Sequence, residues 1–383
     1  MAINLAAPKT NGNGQYGEVG TSGLSTFYGI ITEAVHKELQ WPAGFDELNR
    51  IWRTDPEISI VKMMFQTFAS EITVKYESDP DEENTALSED AEAFGNSVLS
   101  EMDGGITSWL QQAAIRTPFF GWGAWEEIIG LRQAGWKPPG DDDWRSREND
   151  GLIGIRRLAF RDPSSFYRWE IDDKAGRLRG MWQLDYPSQQ TLIPIERMAH
   201  ITFGGDRHNP EGVSPLEAVW RLERIKYGLE QVQGIGHERS AGYLKIKIDK
   251  ELSSADEAII KKAARAVLSA QESNYLALAN GMEADIMDVS FGNAPAILEA
   301  IRYYGLLKLQ LYNMQWVAIA STAGTGAYAA AESASGMFIM YFNAMVESFV
   351  NQLDSQMSKR LFGKHNDQAF SGLMRRPKLV ASK

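Results

Sequence analysis

Cysteine is absent from the 383 residues, and histidine occurs only five times. The lack of cysteine excludes disulfides, thiolate zinc sites and cysteine nucleophiles, and it suits assembly in a reducing compartment. No G-x-x-x-x-G-K-[ST] string occurs, which excludes a Walker-type ATPase. Gly121 and Gly123 lack a third glycine at dinucleotide spacing, so we predict aromatic packing around a bend there rather than a phosphate cradle.

Long apolar runs are also lacking. The most apolar stretch, Leu306 to Ala331, contains Lys308 and several amides, and glycines break its second half, so we predict no transmembrane helix. The first residues have no basic segment followed by an apolar core. We therefore expect a flexible N-terminal arm over residues 1–54 rather than a secretory signal.

Positive charge is in deficit. The formal net charge of −11 argues against tight non-specific binding to nucleic acid, because lysines and arginines must neutralise phosphates. It does not exclude DNA as a passing cargo, since an acidic or neutral wall would repel the duplex gently and let it slide.

What is present is enough apolar material for a sizeable core: 44% of the residues are hydrophobic and 23% are charged. Apolar positions at helical spacing predict a helix from Asp55 to Tyr76, with Asp55 as N-cap and Pro56 in its first turn. The acidic stretch 77–92 is predicted to be a solvated link, with a helix starting near its residue 87. A buried helix is predicted over 103–131, which includes the string FFGWGAWEEIIG.

Short apolar runs between turn signals predict an antiparallel β meander over 153–204. Ser214 and Pro215 then start a helix that runs to Ala241. A small α+β unit follows, with a strand at 243–248, a helix at 254–270 and short strands near 275–278 and 286–289. Pro295 to Ala320 is predicted to be a second helix of about 39 Å at about 1.5 Å per residue. Small residues and glycines predict a loop over 321–335, before a further helix at 337–361.

An enzyme is one alternative. Its strongest constellation is Asp206, His208 and Glu211 in the loop GGDRHNPEG, which could supply metal ligands or a general base to a metal-dependent hydrolase. The spacing matches no known ligand pattern, and turn chemistry alone explains such a loop. We therefore predict no catalytic residue, no metal and no cofactor.

The order of these segments, together with several local strings, resembles the portal proteins of tailed bacteriophages. One string is PFFGWGAWEEII from Pro118, which is similar to the segment in which a portal helix passes through an aromatic-glycine step into a strand. The others are Asp162-Pro163 after a strand, and the stretch from His200 to Leu216 that ends in GVSPL. The resemblance covers 55–362 and implies an α+β, mainly helical portal-like fold. The implied parts are a wing at 55–213 that contains the meander, a first stem helix at 214–241, a clip at 242–294, a second stem helix at 295–320, a tunnel loop at 321–335, and a crown-side helix with a basic C-terminal tail at 336–383.

The resemblance also implies functional surfaces. The tunnel loop would line the DNA channel with Ser321, Thr322, Gly324, Thr325, Gly326, Tyr328 and Glu332. Contacts between stems of neighbouring subunits would use Arg221, Glu223, Arg224, Lys226 and Glu230, although a solvated face of a monomeric helix has the same composition. Docking of the motor or the connector at the clip would use Lys245, Lys247, Lys261, Lys262 and Arg265, and a plain exposed face is the alternative.

As a portal protein the chain would form a homo-oligomeric ring, typically a dodecamer, at one capsid vertex of the virion, after assembly in the host cytoplasm. Its partners would be the terminase large subunit, the head-tail connector or adaptor, the major capsid and scaffold proteins, and double-stranded DNA as non-specific cargo, with no membrane. Its basic C-terminal tail would meet packaged DNA or be disordered. The other structural alternative is a different virion connector or capsid-associated subunit.

Overall fold

The computed structural model describes residues 23–32, 34, 36–137, 145–172, 176–185, 189–205, 209–240, 243–248, 258, 261, 282–287, 292–320 and 325–382. In this part the chain mixes helices with short antiparallel sheets, which confirms the mixed class that the sequence predicts. Proximity of Cα atoms divides the chain into two compact units, which are Met1–Glu223 with Leu306–Lys383, and Arg224–Gly305.

The helices, in chain order, are α1 (Phe45–Thr54), α2 (Pro56–Ser70), α3 (Thr85–Glu101), α4 (Gly105–Phe120), α5 (Leu216–Ser240), α6 (Ala294–Gln310), α7 (Gln315–Ala320), α8 (Thr325–Leu353) and α9 (Asp367–Phe370). A π-helical segment, Asp354–His365, joins α8 to α9. The strands are β1 (Thr26–Phe27), β2 (Ile30–Ile31), β3 (Thr73–Glu77), β4 (Trp122–Leu131), β5 (Ile153–Arg161), β6 (Phe166–Ile171), β7 (Leu178–Asp185), β8 (Gln189–Pro194), β9 (Met198–Thr202), β10 (Tyr243–Ile248), β11 (Met282–Met287) and β12 (Lys378–Ser382).

The β-rich part of the first unit consists of two three-stranded antiparallel sheets, in the orders β5-β4-β9 and β6-β7-β8. The prediction of one continuous meander over 153–204 was therefore wrong, since only β6 to β8 form one. The central strand β4 lies inside the segment predicted as helix. Gly121 ends α4 in the left-handed conformation, with φ 84°, and a Cβ there would lie 2.4 Å from the Glu211 carbonyl oxygen.

Helix α2 starts as predicted, because the Asp55 side chain accepts a hydrogen bond of 3.0 Å from the Ile58 N–H. It ends at Ser70 rather than at Tyr76. The residues that follow alternate between exposed and buried, with Val74 and Tyr76 inside, and they form β3. Pairing with β12, nearly the whole chain away, decided their conformation over the local helical pattern.

The core of the first unit joins α2, α4 and α8 through aromatic side chains. The Phe65 ring centroid lies 5.4 to 6.1 Å from those of Phe119, Tyr312, Phe338 and Phe342. All five side chains are at most 1% exposed. Such buried ring pairs stabilise beyond their buried area by about 0.5–1.5 kcal/mol each, so this cluster fixes the middle of α8 against α2.

The prediction of one unbroken helix over 295–320 was wrong, because the helix stops at Gln310 and restarts as α7. Asn313 is left-handed, with φ 56°. The Met314 N–H donates to the Leu309 carbonyl at 2.9 Å, and the Asn313 N–H donates to the Gln310 carbonyl at 3.0 Å. This is the Schellman arrangement, in which the apolar side chains of Met314 and Leu309 are both buried.

The predicted loop 321–335 is also corrected in part. Residues 321–324 lie outside the described residues, whereas 325–335 form the first turns of α8. The run YAAAESA consists mostly of strong helix formers, and their propensity outweighs the cost of Gly326 and Gly336. The predicted terminal helix 337–361 is consequently longer, and its last part is π-helical.

Side-chain amides close the free edge of β9. The Gln352 amide accepts from the Thr202 N–H at 2.9 Å and donates to the Thr202 carbonyl at 2.9 Å. Gln356 does the same with His200, at 2.9 and 2.7 Å. Four helical residues rise about 6 Å and two strand residues about 6.6 Å, so consecutive amides on the helix match alternate residues of the strand.

Two asparagines repeat this pairing at other strands. Asn366 pairs with both backbone groups of Ile153, at 2.8 and 2.9 Å. Asn96 pairs with both backbone groups of Tyr76, at 2.8 and 3.0 Å. Each amide occupies a donor and an acceptor that another strand would otherwise bind.

The C-terminal tail is ordered as far as Ser382, which corrects the alternative of a disordered tail. β12 pairs with β3 along its whole length. The Arg375 guanidinium lies 2.7 Å from Asp81 and 3.4 Å from Asp79, and the Glu82 carboxylate accepts from the Arg375 N–H. Part of the acidic link is therefore a partner of the tail rather than a solvated segment.

The second unit contains the greater part of α5, the antiparallel pair β10–β11 and the first turns of α6. Strand β10 coincides with the predicted strand 243–248, and β11 overlaps the predicted strand near 286–289. The predicted strand at 275–278 lies outside the described residues, as does nearly all of the predicted helix 254–270.

Substitutions at Asn313 should test the break between α6 and α7. Asn313→Gly is expected to keep or slightly raise the free energy of unfolding, because glycine adopts the left-handed conformation freely. Asn313→Val should lower it by about 1–2 kcal/mol. Urea unfolding followed by tryptophan fluorescence measures both, with Asn351→Val on the exposed face of α8 as the control for β-branching. Equal stability of the glycine and valine variants at 313 would contradict the assignment.

Candidate functional site

Helix α5 carries the predicted subunit-contact charges, and its start is well fixed. The Ser214 hydroxyl accepts from the Leu216 N–H at 3.1 Å and donates to the Phe119 carbonyl. Arg221 is exposed. Glu223 instead accepts two hydrogen bonds from the Arg50 guanidinium, at 3.1 and 3.2 Å, so this predicted contact residue has a partner in its own chain.

Farther along α5, within the second unit, Arg224 is exposed and Lys226 lies 3.5 Å from Glu230. Sequence reasoning missed the apolar residues of this helix. Ile225, Val232 and Ile235 are 37%, 49% and 48% exposed, and spacings of seven and ten residues place them on one face. Helical spacing of exposed apolar residues was the available signal. An exposed apolar face of this kind is typical of a surface that packs against another chain.

The predicted tunnel residues are only partly described. Ser321, Thr322 and Gly324 lie outside the described residues. Thr325, Gly326 and Tyr328 are in the first turn of α8, and Glu332 is exposed two turns into it. Any channel-lining role would thus involve a helix as well as the preceding residues.

The exposed face of α8 continues beyond Glu332 with small and apolar residues. Met337 and Met340 are 55% and 73% exposed, and the neighbouring positions Gly336 and Ala344 carry no side-chain charge. Methionine adapts to irregular surfaces because its chain is flexible and polarisable. Around the two methionines this face has no charged or amide side chain to read a base edge, whereas Asn343, Glu347 and Asn351 are exposed farther along the helix.

The predicted clip residues are brought together only in part. Lys245 and Lys247 lie in β10, where the strand register places them opposite Asp285 and Glu283. Lys261 is exposed and has a helical backbone, whereas Lys262 and Arg265 lie outside the described residues. In the described part, then, the β10 lysines sit beside acidic residues of β11.

A buried ion pair anchors the C-terminal end of α6. The Lys308 ammonium contacts the Asp55 carboxylate, and it lies 3.7 Å from the Glu57 Oε2 atom. Lys308 is 1% exposed and Asp55 is 4% exposed. Burial raises the pKa of Asp55, and the hydrogen bonds from Lys308 and from the Ile58 N–H oppose that rise. The pair ties α6 to the N-terminus of α2.

His200 is the other buried titratable group of interest. Its Nε2–H donates to the Pro210 carbonyl at 2.8 Å, and its ring packs 5.2 Å from the Trp169 ring. Burial lowers the pKa of His200 to about 4, although the Pro210 carbonyl partly opposes the shift. The ring is therefore neutral near pH 7, and it holds the 209–213 loop against β9.

The described residues offer little to the hydrolase alternative. Asp206 and His208 lie outside the described residues, and Glu211 accepts a hydrogen bond from the Trp169 indole at 3.2 Å. In the described part of the chain no group of three histidine, aspartate or glutamate residues is arranged to hold a metal ion. Among the same residues, no helix is both long and apolar enough to cross a bilayer.

No family model and no curated protein sequence is similar to the chain, but solved structures are. One, from the virion of a native gene transfer agent particle, has a TM-score of 0.54 at 11% identity, over 88% of this chain and 82% of that chain. Another, from the neck of an empty gene transfer agent particle computed with C6 symmetry, has a TM-score of 0.52 at 11% identity, over 88% of this chain and 84% of that chain. A HK97-family phage portal protein from Corynebacterium diphtheriae has a TM-score of 0.45 at 12% identity, over 88% and 95%. Likeness at 11% identity shows a shared fold alone, and the chain shares that fold with a chain of the virion and with a chain of the particle neck.

His200 should make stability depend on pH. Its pKa is about 4 in the folded chain against 6.5 for a free histidine, so unfolding takes up a proton as the pH falls between these values. The stabilisation is complete above pH 6.5 and is lost on acidification, by at most about 3 kcal/mol. Urea unfolding at pH 7.5 and 4.5 measures how much the free energy of unfolding falls on acidification. This fall should be smaller for His200→Gln than for the wild type. His237→Gln, at an exposed position of α5, should leave the difference unchanged.

Lys308→Met should lower the free energy of unfolding by about 3–5 kcal/mol, because it leaves the Asp55 carboxylate buried without its cation. Asp55→Asn keeps a side-chain oxygen for the Ile58 N–H. The double variant Lys308→Met/Asp55→Asn is therefore expected to recover much of the loss in urea unfolding. A double variant that is less stable than Lys308→Met alone would show that the pair does not act as argued.

Proposed function

We propose that the chain is a portal-type subunit of a tailed-phage or phage-like particle, and that copies of it close into a ring at one vertex of the capsid. The observation that carries the proposal is the shared fold. A chain of a virion and a chain of a particle neck each match 88% of this chain, and the neck was computed with C6 symmetry. The segment order and the strings around Pro118 and His200 support it independently of the fold.

Passage of DNA of any sequence is the second part of the proposal. A conduit must neither read bases nor hold the duplex, and a net charge of −11 disfavours tight phosphate binding. The exposed face of α8 is small and apolar rather than basic around Met337 and Met340. Residues 321–335 would lie along the channel, with Glu332 as their only charge.

The remaining partners follow from the portal role. We place contacts between neighbouring subunits on α5, with its apolar residues added to the charges already predicted. The second unit, which contains the β10–β11 pair, would dock the terminase large subunit during packaging and the head-tail connector afterwards. Capsid and scaffold proteins would contact the first unit. The subunit would act in the virion without catalysis or a cofactor.

A different connector or capsid-associated subunit is the second candidate. A specific observation favours keeping it: the two structures with the higher TM-scores come from a whole virion and a particle neck, and neither description assigns their chain to the portal. A subunit number and a central hole would separate the two candidates.

Ring formation tests the proposal directly. Negative-stain images and mass photometry of the purified chain should show one closed ring with a central hole. Val232→Asp/Ile235→Asp should raise the protein concentration needed for rings by about tenfold or more, since burying unpaired charges at an interface is costly. Leu184→Asp/Leu192→Asp, at two residues that are 45% and 39% exposed in the first unit, should leave assembly unchanged.

A monomer at every concentration would contradict the proposed function. Rings that are insensitive to aspartate at 232 and 235 would contradict the placement of subunit contacts on α5. A filled disc or an open spiral would favour the other connector or capsid-associated role.

A further inference from the structure

Three cations converge at one place on the first unit, where α1, α2 and α4 meet. The Lys62 ammonium lies 4.1 Å from the centroid of the Trp52 ring, and the Arg116 guanidinium lies 4.2 Å from it. Arg53, the residue after Trp52, is exposed, and it forms no ion pair with a described residue. We call Arg53, Lys62 and Arg116 the basic cluster.

The fold accounts for only part of this positive charge. Asp162 Oδ2 lies 3.8 Å from the Arg116 guanidinium. Lys62 donates to the Trp52 carbonyl near the end of α1, and a helix C-terminus supplies about half a negative charge. Against three cations, this leaves an excess of more than one positive charge, on a chain whose net charge is −11.

The cations also repel one another. Burial lowers the pKa of Lys62, the charges of Arg116 and Arg53 lower it further, and the Asp55 carboxylate partly opposes the shift. Burial likewise lowers the pKa of Arg116, which Asp162 opposes and Arg53 reinforces. An anionic group at this point would relieve the repulsion and would gain more than it does at an ordinary exposed lysine, because the site is half-buried.

The chemistry of the cluster favours a single oxyanion over a nucleic-acid strand. Two cations already cover the Trp52 ring, so no base can stack on it as bases do in single-strand binding sites. A duplex would also bring many phosphates close to a strongly acidic chain. A carboxylate on a flexible side chain meets neither difficulty.

The same unit presents such carboxylates elsewhere. Glu83, just before α3, and Glu89 and Asp90, in its first two turns, are exposed and form no ion pair with a described residue. We call these three residues the acidic face. It belongs to a different helix from the basic cluster, and the two share no contact residue.

Two complementary patches at different places on one molecule generate a head-to-tail contact, and such contacts close into rings when the rotation allows. We propose that the basic cluster of one copy binds the acidic face of the neighbouring copy in the ring. This inference rests on the proposed ring, and it assigns to that ring a charge contact outside α5.

A charge swap on the full-length chain tests the contact. Arg53→Glu and the pair Glu89→Lys/Asp90→Lys should each raise the concentration at which half of the chains are in rings by about fivefold or more, as mass photometry measures at about 50 mM NaCl. The combined swap should restore most of the assembly. The matched control is Lys359→Glu, an exposed cation outside the cluster, which should change nothing.

If the wild type forms rings, each single swap weakens them and the combined swap restores assembly, the contact is supported. Wild-type rings that neither single swap weakens would overturn it and leave the proposed function intact. Unchanged rings in Arg53→Glu with salt-sensitive loss of binding to a short DNA duplex would overturn it in favour of a phosphate site. A wild type that forms no ring would overturn the proposed function, and this contact with it.

Discussion

The constraint on which the first unit depends is that exposed strand edges must find hydrogen-bond partners. Its sheets have only two or three strands each, so a large share of their backbone groups lie at an edge. The helical stretch from α8 through the π-helical segment supplies those partners, with Gln352 and Gln356 on β9. Asn366 then closes β5. An unpaired buried backbone group would cost about 1–3 kcal/mol, so each amide has a large effect.

The same helical stretch ties the sheets together by charge and by hydroxyl contacts. Arg360 donates to the Glu127 carboxylate of β4 at 2.8 Å and to the Met198 carbonyl of β9 at 3.1 Å. The hydroxyls of Ser358 and Tyr76 lie 2.9 Å apart, which joins the π-helical segment to β3. A helix with such contacts on several strands holds those strands at fixed positions relative to one another. Closed edges also matter for a subunit that packs beside its own copies, because open edges at high local concentration invite strand pairing between chains.

Local signals were enough for some of this structure and not for the rest. Asp55 with Pro56, and Ser214 with Pro215, marked helix starts correctly because capping involves only neighbouring residues. The break at Asn313 was also local, and an asparagine at a helix end was the missed signal. By contrast, β3 depends on β12, and the amide contacts of Gln352 join residues 150 positions apart, so no local pattern could predict them.

The candidate site likewise has features that local sequence patterns predicted and features that depend on tertiary contacts. Sequence reasoning located the charges of α5, but it could not predict that Arg50 would engage Glu223 within the chain, because that contact depends on tertiary packing. It also gave weight to charge where exposed apolar residues such as Val232 suit an interface better, since surface ion pairs contribute little and apolar burial contributes more. In the proposed ring, apolar contacts on α5 would hold neighbouring subunits together without requiring a basic surface that binds DNA. Charge is then left to set the order and direction of neighbouring subunits, the part of assembly for which electrostatic complementarity is best suited.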